Sequence, residues 1–382
     1  MTEKKASRKL IVGITAPGSV ILLKGQLKYF AERGYETYLL APSHERTIAY
    51  CKQEGCKLLP VPIEREISIL ADLIALWHIL RHFWRIQPDI VNVGTPKMGL
   101  LGMIAARIVG VKKRVYTCRG FRYEHEQGGK RKLLMVMEWI AGLCAHSIIC
   151  ISQSVKERGV TDSVFSNAKC QVINKGSSNG IDIKRFSQDN VSTGEIEDLK
   201  EKLEIQGHFV YGFVGRIIDR KGCKELFEAF RIVYDIDDRI RLLLVGLFDH
   251  NQLTDKTLPG AMKTHPGVIM AGRTDNVPLY LSCIDVFVLP AWWEGFGNVL
   301  VEAAAMQIPV ISTNGTGTKD AVNDGYNGVL VDVRSVEPLA DAMCLLKEDS
   351  DLRQKLANNG RKWAANFDST TIWNGMKMIY EA

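Results

Sequence analysis

Residues 286–312 read VFVLPAWWEGFGNVLVEAAAMQIPVIS, and their order is that of a strand, a loop, a helix and a second strand. Val286–Leu289 is apolar without alternation, as expected of a strand covered on both faces. Pro290 ends the run, and a loop follows with Glu294 and then Gly295-Phe296-Gly297. A helical pattern begins near Asn298 and carries Glu302 in its first turn, and Pro309 opens the next strand. Such a loop suits a nucleotide diphosphate. Glycines let backbone approach a ligand closely, and free N–H groups at a positive helix end favour phosphate. Glu302 can reach a ribose diol, because a carboxylate accepts charge-assisted hydrogen bonds from both hydroxyls. Glu294 lies in the loop, where a sugar would sit. The spacing E-x7-E alone fits two surface glutamates; the full strand–EGFGN–Glu–Pro-Val strand arrangement is far more specific.

Upstream, Val210–Gly222 reads VYGFVGRIIDRKG. A strand delivers Gly215 and Arg216 at its C-terminal end, and Lys221 and Gly222 open the next helix. Ligands of open α/β sheets bind at the C-terminal ends of strands. Arg216 and Lys221 there can neutralise a diphosphate and its leaving-group charge, the work a divalent metal does elsewhere.

Further outward, short apolar runs alternate with amphipathic stretches along the whole chain. Strands are predicted at 10–14, 36–40, 90–93, 113–117 and 147–151, then at 209–214, 240–245, 268–271, 286–289 and 309–312. Helices fall between them, among them 22–33, 99–109, 221–234 and 278–283. This alternation predicts an α/β fold of two doubly wound domains with parallel sheets. The junction falls in KGSSNGIDIKRF, Lys175–Phe186, which is rich in turn formers. The expected division is residues 1–182, 183–366, and a terminal helix, 367–382, packing back on the first domain.

At 382 residues the chain has room for both domains. Apolar residues make up 46% and no uninterrupted apolar run reaches 18, so no transmembrane helix is expected. The opening MTEKKASRKLIVGITAPG reads as a lead-in to a first strand and not as a signal peptide. Nine cysteines, none spaced CxxC, predict small core residues in a reducing cytosol. Eight histidines without HxH or HxxxH spacing give no metal site. The net charge of +6 is uneven: residues 1–182 hold 27 Lys/Arg against 15 Asp/Glu, the rest 22 against 28. A basic first half fits an anionic membrane or a phosphorylated substrate.

FVGRIIDRKG together with EGFGNVLVEAAAMQIPVIS resembles the donor domain of retaining glycosyltransferases of family 4, in the GT-B fold class. TAPGSVILLKGQLKYFAERGYETYLLAP is similar to that family's opening strand, loop and helix. The stretches VNVGTPKMGLLGMIAARIVGVKKRVYTCRGFRYEHEQGGKRK and NKGSSNGID resemble its capsule, exopolysaccharide and O-antigen subgroup. The resemblance implies two Rossmann-like domains facing across a cleft, with the nucleotide-sugar donor held by the second and the acceptor by the first. It further implies that Arg216 and Lys221 hold the diphosphate, Glu302 binds the ribose, and Glu294 contacts the transferred sugar. Backbone amides of Gly295, Phe296, Gly297 and Asn298 help, and Gly18 lets the donor phosphate or acceptor come close. Arg119-Gly120 stands where many members have His-Gly, which makes Arg119 a catalytic candidate whose role the resemblance leaves open. Whether Glu294 is a nucleophile or stabilises an oxocarbenium-like state is open too. The implied reaction is retaining, needs no metal or other cofactor, and uses a polyprenyl-diphosphate-linked saccharide acceptor at the cytoplasmic membrane face. No nucleic-acid partner is implied.

Other signals carry less. Asp235-Ile236-Asp237 matches a metal-binding DxD but lies between Tyr234 and two arginines, as an exposed charged turn does. No GxGxxG follows the first strand, so a nicotinamide dehydrogenase has no support. Gly315-Thr316-Gly317 reads as a turn. Residues 67–85, ISILADLIALWHILRHFWR, form an amphipathic helix with Trp77, Arg81, Phe83, Trp84 and Arg85, equally suited to a sheet-packing helix and to a membrane interface. The competing functions are a nucleotide-sugar epimerase or hydrolase on the same scaffold, and a non-catalytic nucleotide-sugar-binding subunit.

Overall fold

The computed structural model describes residues 7–64, 66 and 68–382. Met1–Ala6 of the basic lead-in and Ile67 of the long amphipathic stretch lie outside the described residues. Two compact units make up the chain: one is residues 1–180 with Thr370–Ala382, the other Ile181–Ser369.

The first unit holds strands β1 (Arg8–Gly13), β2 (Tyr35–Ala41), β3 (Lys57–Pro60), β4 (Ile90–Gly94), β5 (Lys113–Cys118), β6 (Ser147–Cys150) and β7 (Cys170–Gln171). All pairs are parallel, in the order β3-β2-β1-β4-β5-β6-β7. The second unit holds β8 (Phe209–Val214), β9 (Ile240–Val245), β10 (Val268–Gly272), β11 (Val286–Leu289), β12 (Val310–Thr313) and β13 (Gly328–Val331). Their order is β10-β9-β8-β11-β12-β13, again parallel throughout. Each sheet therefore reverses its winding once, between β1 and β4 and between β8 and β11.

Both faces of the first sheet are covered. Ala75, Ile79 and Phe83 of helix Ile69–Ile86 join Met98, Leu101 and Ala105 of helix Pro96–Val109 in one core. On the other face Leu27 and Phe30 pack with Ile372, Met376 and Ile379 of the terminal helix Ser369–Glu381. Polar bonds tie that helix down as well: the Trp373 indole donates to Asn179 Oδ1 at 2.7 Å, and Asn92 Nδ2 donates to the Tyr380 hydroxyl at 2.6 Å.

The ten expected strands are present; β3, β7 and β13 are additional. All three are outermost strands of two to four residues with little fully buried surface, so they carry almost no periodic signal. The helix expected over 22–33 is two pieces, a 3-10 turn Pro17–Leu23 and a helix Gln26–Ala31. Gly25 divides them at φ +79°, with a Cβ there meeting Trp373 at 2.7 Å.

One packing feature stands out on the first unit. Ile69, Leu70, Leu73, Ile74, Trp77 and Trp84 of helix Ile69–Ile86 are all more than half exposed. Leu133, Val136, Trp139 and Leu143 of helix Gly128–Cys144 are about half exposed.

Candidate active site

Where the winding of the second sheet reverses, the ends of β8 and β11 open two loops side by side. From β8 the chain passes through Gly215-Arg216 into a 3-10 turn, Asp219–Lys221, and then the helix Cys223–Ile236. Lys221 thus closes a turn, two residues before the helix it was expected to open. From β11 it passes through 290–297 into the helix Asn298–Ala305.

The loops are locked together. Trp292 N–H donates to the Arg220 carbonyl at 2.8 Å, and its indole N–H to Glu225 Oε1 at 2.8 Å. Gly222, at φ +67°, passes so close to Pro290 that a Cβ would lie 2.0 Å from its carbonyl oxygen. Beneath Glu294, its N–H donates to the Thr316 carbonyl at 2.9 Å, and a Cβ on Gly317 would come within 2.2 Å of the Glu294 carbonyl oxygen. Gly315-Thr316-Gly317, in sequence only a turn, is the floor of this loop.

Glu294 is the hub. Lys221 Nζ lies 3.0 Å from its Oε1 and Arg220 Nη1 lies 3.4 Å from its Oε2. The Lys221 approach misses hydrogen-bond alignment, which leaves Oε1 able to accept. Burial pushes the Glu294 carboxyl up, but Lys221 and Arg220 outweigh it and hold it below the ordinary glutamate range, so it is ionised at neutral pH. Glu302 behaves oppositely: burial raises it to about 7, with Arg185 and Lys221 only partly offsetting this. It is the fifth residue of its helix and not in the first turn.

Arg216 is half exposed, with Nη1 3.3 Å from Asp249 Oδ2. The Phe296 ring is core: it is buried against Phe367 at a centroid distance of 5.2 Å, so only its backbone is available to a ligand. Gly297 and Asn298 form the helix start, with Leu300 N–H donating to the Gly297 carbonyl. Sequence reading missed Arg220. Its signal was there, since three successive residues of a 3-10 turn point in different directions and DRKG carries two cations.

In the first unit Arg119 follows β5. Its Nε donates to Ser178 Oγ at 2.6 Å, while Nη1 is buried without a hydrogen-bond partner. Gly94 at the end of β4 makes room for it, since a Cβ there would overlap the guanidinium. Burial lowers the Arg119 pKa to about 10, with Tyr116, Tyr380 and Cys118 opposing, so the cation persists at neutral pH. Gly18 lies exposed in the turn Pro17–Leu23, where a Cβ would meet Arg46 Nη1 at an ordinary 3.7 Å. Nothing among the described residues requires glycine there.

Asp237 is bound up elsewhere. It accepts from Arg239 Nε at 2.9 Å and from Lys347 Nζ at 2.7 Å, which hold its carboxyl far below the usual range. Among the described residues no three His, Cys, Asp or Glu side chains gather as a metal site.

The family description "Glycosyltransferase Family 4" matches residues 18–185, and "Glycosyl transferases group 1" matches residues 195–363. The capsular polysaccharide biosynthesis glycosyltransferase CapM of Staphylococcus aureus is 33% identical over 375 residues, 98% of this chain and 97% of CapM. The chain belongs to this glycosyltransferase family. The transferase is also 27% identical to the Escherichia coli UDP-Gal:alpha-D-GlcNAc-diphosphoundecaprenol alpha-1,3-galactosyltransferase, over 83% of this chain and 81% of that one. Its fold is GT-B, shared with Anabaena HepE, whose structure in complex with UDP and glucose superposes with a TM-score of 0.83 at 20% identity, covering 98% of the transferase and 100% of HepE.

Proposed function

We propose that this transferase moves a sugar from a nucleotide-diphosphate donor to a polyprenyl-diphosphate-linked saccharide, with retention and without a metal, in bacterial surface polysaccharide synthesis. The observation that carries the reading is the ionised Glu294 held between Lys221 and Arg220 at the β8/β11 reversal. A carboxylate clamped by two cations is a weak nucleophile and a strong acceptor, so it is assigned to the hydroxyls of the donor sugar. Lys221, Arg220 and Arg216 face the diphosphate. They stabilise the charge that grows on it as the C1–O bond breaks. The acceptor hydroxyl forms the new C1–O bond, and its proton leaves with the phosphate. Attack from the face the diphosphate vacates preserves the anomeric configuration. Arg119, with one guanidinium nitrogen buried and unsatisfied, remains the catalytic candidate of the first unit. Glu302 takes the ribose hydroxyls.

The acceptor class is drawn from the relatives. The E. coli enzyme is named for a diphosphoundecaprenol acceptor, as is an N-acetylgalactosaminyltransferase of Campylobacter jejuni, 24% identical over 93% of each chain. The E. coli name pairs UDP-Gal, an α-linked donor, with an alpha-1,3 product, which is retention. No described helix is long and apolar enough to cross a membrane. Docking at the cytoplasmic face of the membrane is assigned to the exposed apolar residues of helices Ile69–Ile86 and Gly128–Cys144 beside basic side chains.

The test is a panel of UDP- and GDP-sugars, each with a lipid-diphosphate-linked saccharide, in EDTA, with the anomeric coupling of the product read by NMR. A β-linked product from an α-linked donor overturns retention. Free sugar, or an epimerised donor without an acceptor product, favours the hydrolase or epimerase.

A further inference from the structure

A second basic site lies in the first unit, apart from the residues given roles above. Pro42-Ser43 after β2 and 60–64 from the end of β3 form one wall of a cavity of about 810 Å³. Helix Ile69–Ile86 forms the other. It contributes His78, Arg81, His82 and Arg85. Their spacing of three and four residues puts all four on one stripe, while Ala75, Ile79 and Phe83 are buried on another. Neither Arg81 nor Arg85 has an ion-pair partner among the described residues. Among the described residues, one carboxylate, Glu64, reaches the cavity, against two guanidinium groups.

The chemistry of the walls is divided. Pro60 and Pro62 have no N–H and offer a rigid apolar surface. The Pro60 carbonyl is 2.9 Å from His82 Nε2, and a carbonyl can only accept, so Nε2 carries the proton and Nδ1 faces elsewhere. Arginine in such a place binds phosphate oxygens two at a time. Arg81 lies over the Trp77 ring at 5.6 Å, and Trp77 begins the run of exposed apolar residues that continues through Ile74, Leu73 and Leu70. A phosphate site opening onto an apolar surface fits an amphiphile with a phosphorylated head, and fits a free nucleotide or a phosphopeptide less well.

We infer that this groove seats the diphosphate of the lipid-linked acceptor, with Arg81 and Arg85 gripping the phosphates and the first isoprene units lying along Trp77 and the prolines. This rests on the acceptor class proposed above. The same phosphate chemistry could be supplied by bulk phospholipid headgroups, and the test separates the two.

With the donor site saturated by UDP, inorganic pyrophosphate is titrated into the full-length protein and into the R81Q/R85Q variant by calorimetry. Wild type is expected to bind it saturably, and the variant at least tenfold more weakly. UDP should raise the melting temperature of both alike, which shows that the variant is folded. Farnesyl diphosphate should bind more tightly than pyrophosphate, and farnesol should not compete. In turnover, R81Q/R85Q should raise KM for the lipid-diphosphate acceptor while leaving the donor KM unchanged. Equal pyrophosphate affinity in both proteins, or an unchanged acceptor KM, overturns the site. Loss of binding to phosphatidylglycerol vesicles in the variant, with pyrophosphate failing to compete in wild type, assigns the groove to headgroups and overturns it as well. If wild type binds pyrophosphate here yet elongates no lipid-diphosphate saccharide, the acceptor reading falls and the phosphate site stands.

Discussion

Lys221 Nζ and Glu294 Oε1 lie 3.0 Å apart, with both side chains about nine-tenths buried. The lysine side chain is only 13% exposed. It therefore serves the apo fold as well as the reaction. Lys221→Ala should lower kcat/KM by about 2–4 kcal/mol in transition-state terms. It should also cost about 1–3 kcal/mol of stability, because Glu294 keeps one cation instead of two. Arg216→Ala should show a similar kinetic loss with an unchanged melting temperature, since Arg216 is half exposed. Calorimetric melting and steady-state kinetics on both variants separate the two roles; an unshifted melting point for Lys221→Ala would refute the structural one.

Glu302 makes donor binding depend on pH. Burial raises its pKa to about 7, so the empty site holds a proton below neutrality. Ribose hydroxyls donate, so UDP selects the carboxylate and expels that proton. UDP affinity should rise from pH 6 to pH 8 and then level off, with proton release visible as buffer-dependent enthalpy. Glu302→Gln should bind more weakly and lose the pH dependence. The same group acts on folding with the opposite sign: the native state holds more protons than the unfolded one, so its contribution falls as pH rises toward 7. A pH-independent UDP affinity in wild type would show that Glu302 does not meet the ribose.

Gly222 is a pure steric requirement. Alanine there brings a Cβ to 2.0 Å from the Pro290 carbonyl oxygen at φ +67°, and should cost about 1–3 kcal/mol with most activity lost. Gly194→Ala, in the exposed helix Thr193–Lys202 with nothing near its Cβ, should be neutral or stabilising by up to about 1 kcal/mol. Parallel urea melts decide; equal effects would mean that the β8 and β11 loops are not in contact in solution.

Activity should survive excess EDTA, and Asp237→Ala should leave turnover intact while lowering the melting temperature through loss of its Arg239 and Lys347 contacts. Activity abolished by EDTA and restored by magnesium or manganese would remove the metal-free reading.

Membrane docking should depend on the apolar faces. Replacing Trp77 and Trp139 with serine should reduce sedimentation with anionic vesicles, and salt should weaken it over a Debye length of roughly 8–10 Å. Unchanged sedimentation of the double variant would assign those faces to a protein partner.

Much of this was legible in the sequence because it is periodic or local. Buried parallel strands announce themselves as unbroken apolar runs, and EGFGN between such a run and a helix is a compact motif. What escaped is what depends on distance in space. Arg220 gains its place only in space, where its carbonyl accepts from Trp292 N–H and its Nη1 lies 3.4 Å from Glu294 Oε2. Glu302 was read as a ribose contact in the first turn of its helix; it is the fifth residue, and burial raises its pKa to about 7. Gly317 had no meaning before Glu294 was seen resting on it. The edge strands β3, β7 and β13 are too short to have a period at all.

The terminal helix has a consequence for synthesis. Ile372, Met376, Ile379 and Tyr380 complete a core whose other walls are Leu27, Phe30 and the first strands. On the ribosome that core stays open while the whole of 181–369 is made, an interval of roughly 10–40 s at about 5–20 residues per second. The later-made unit can close first, and the earlier-made one waits with an apolar face uncovered. This is a window for chaperones, and it makes helix Ser369–Glu381 the step that commits the first unit to its native form.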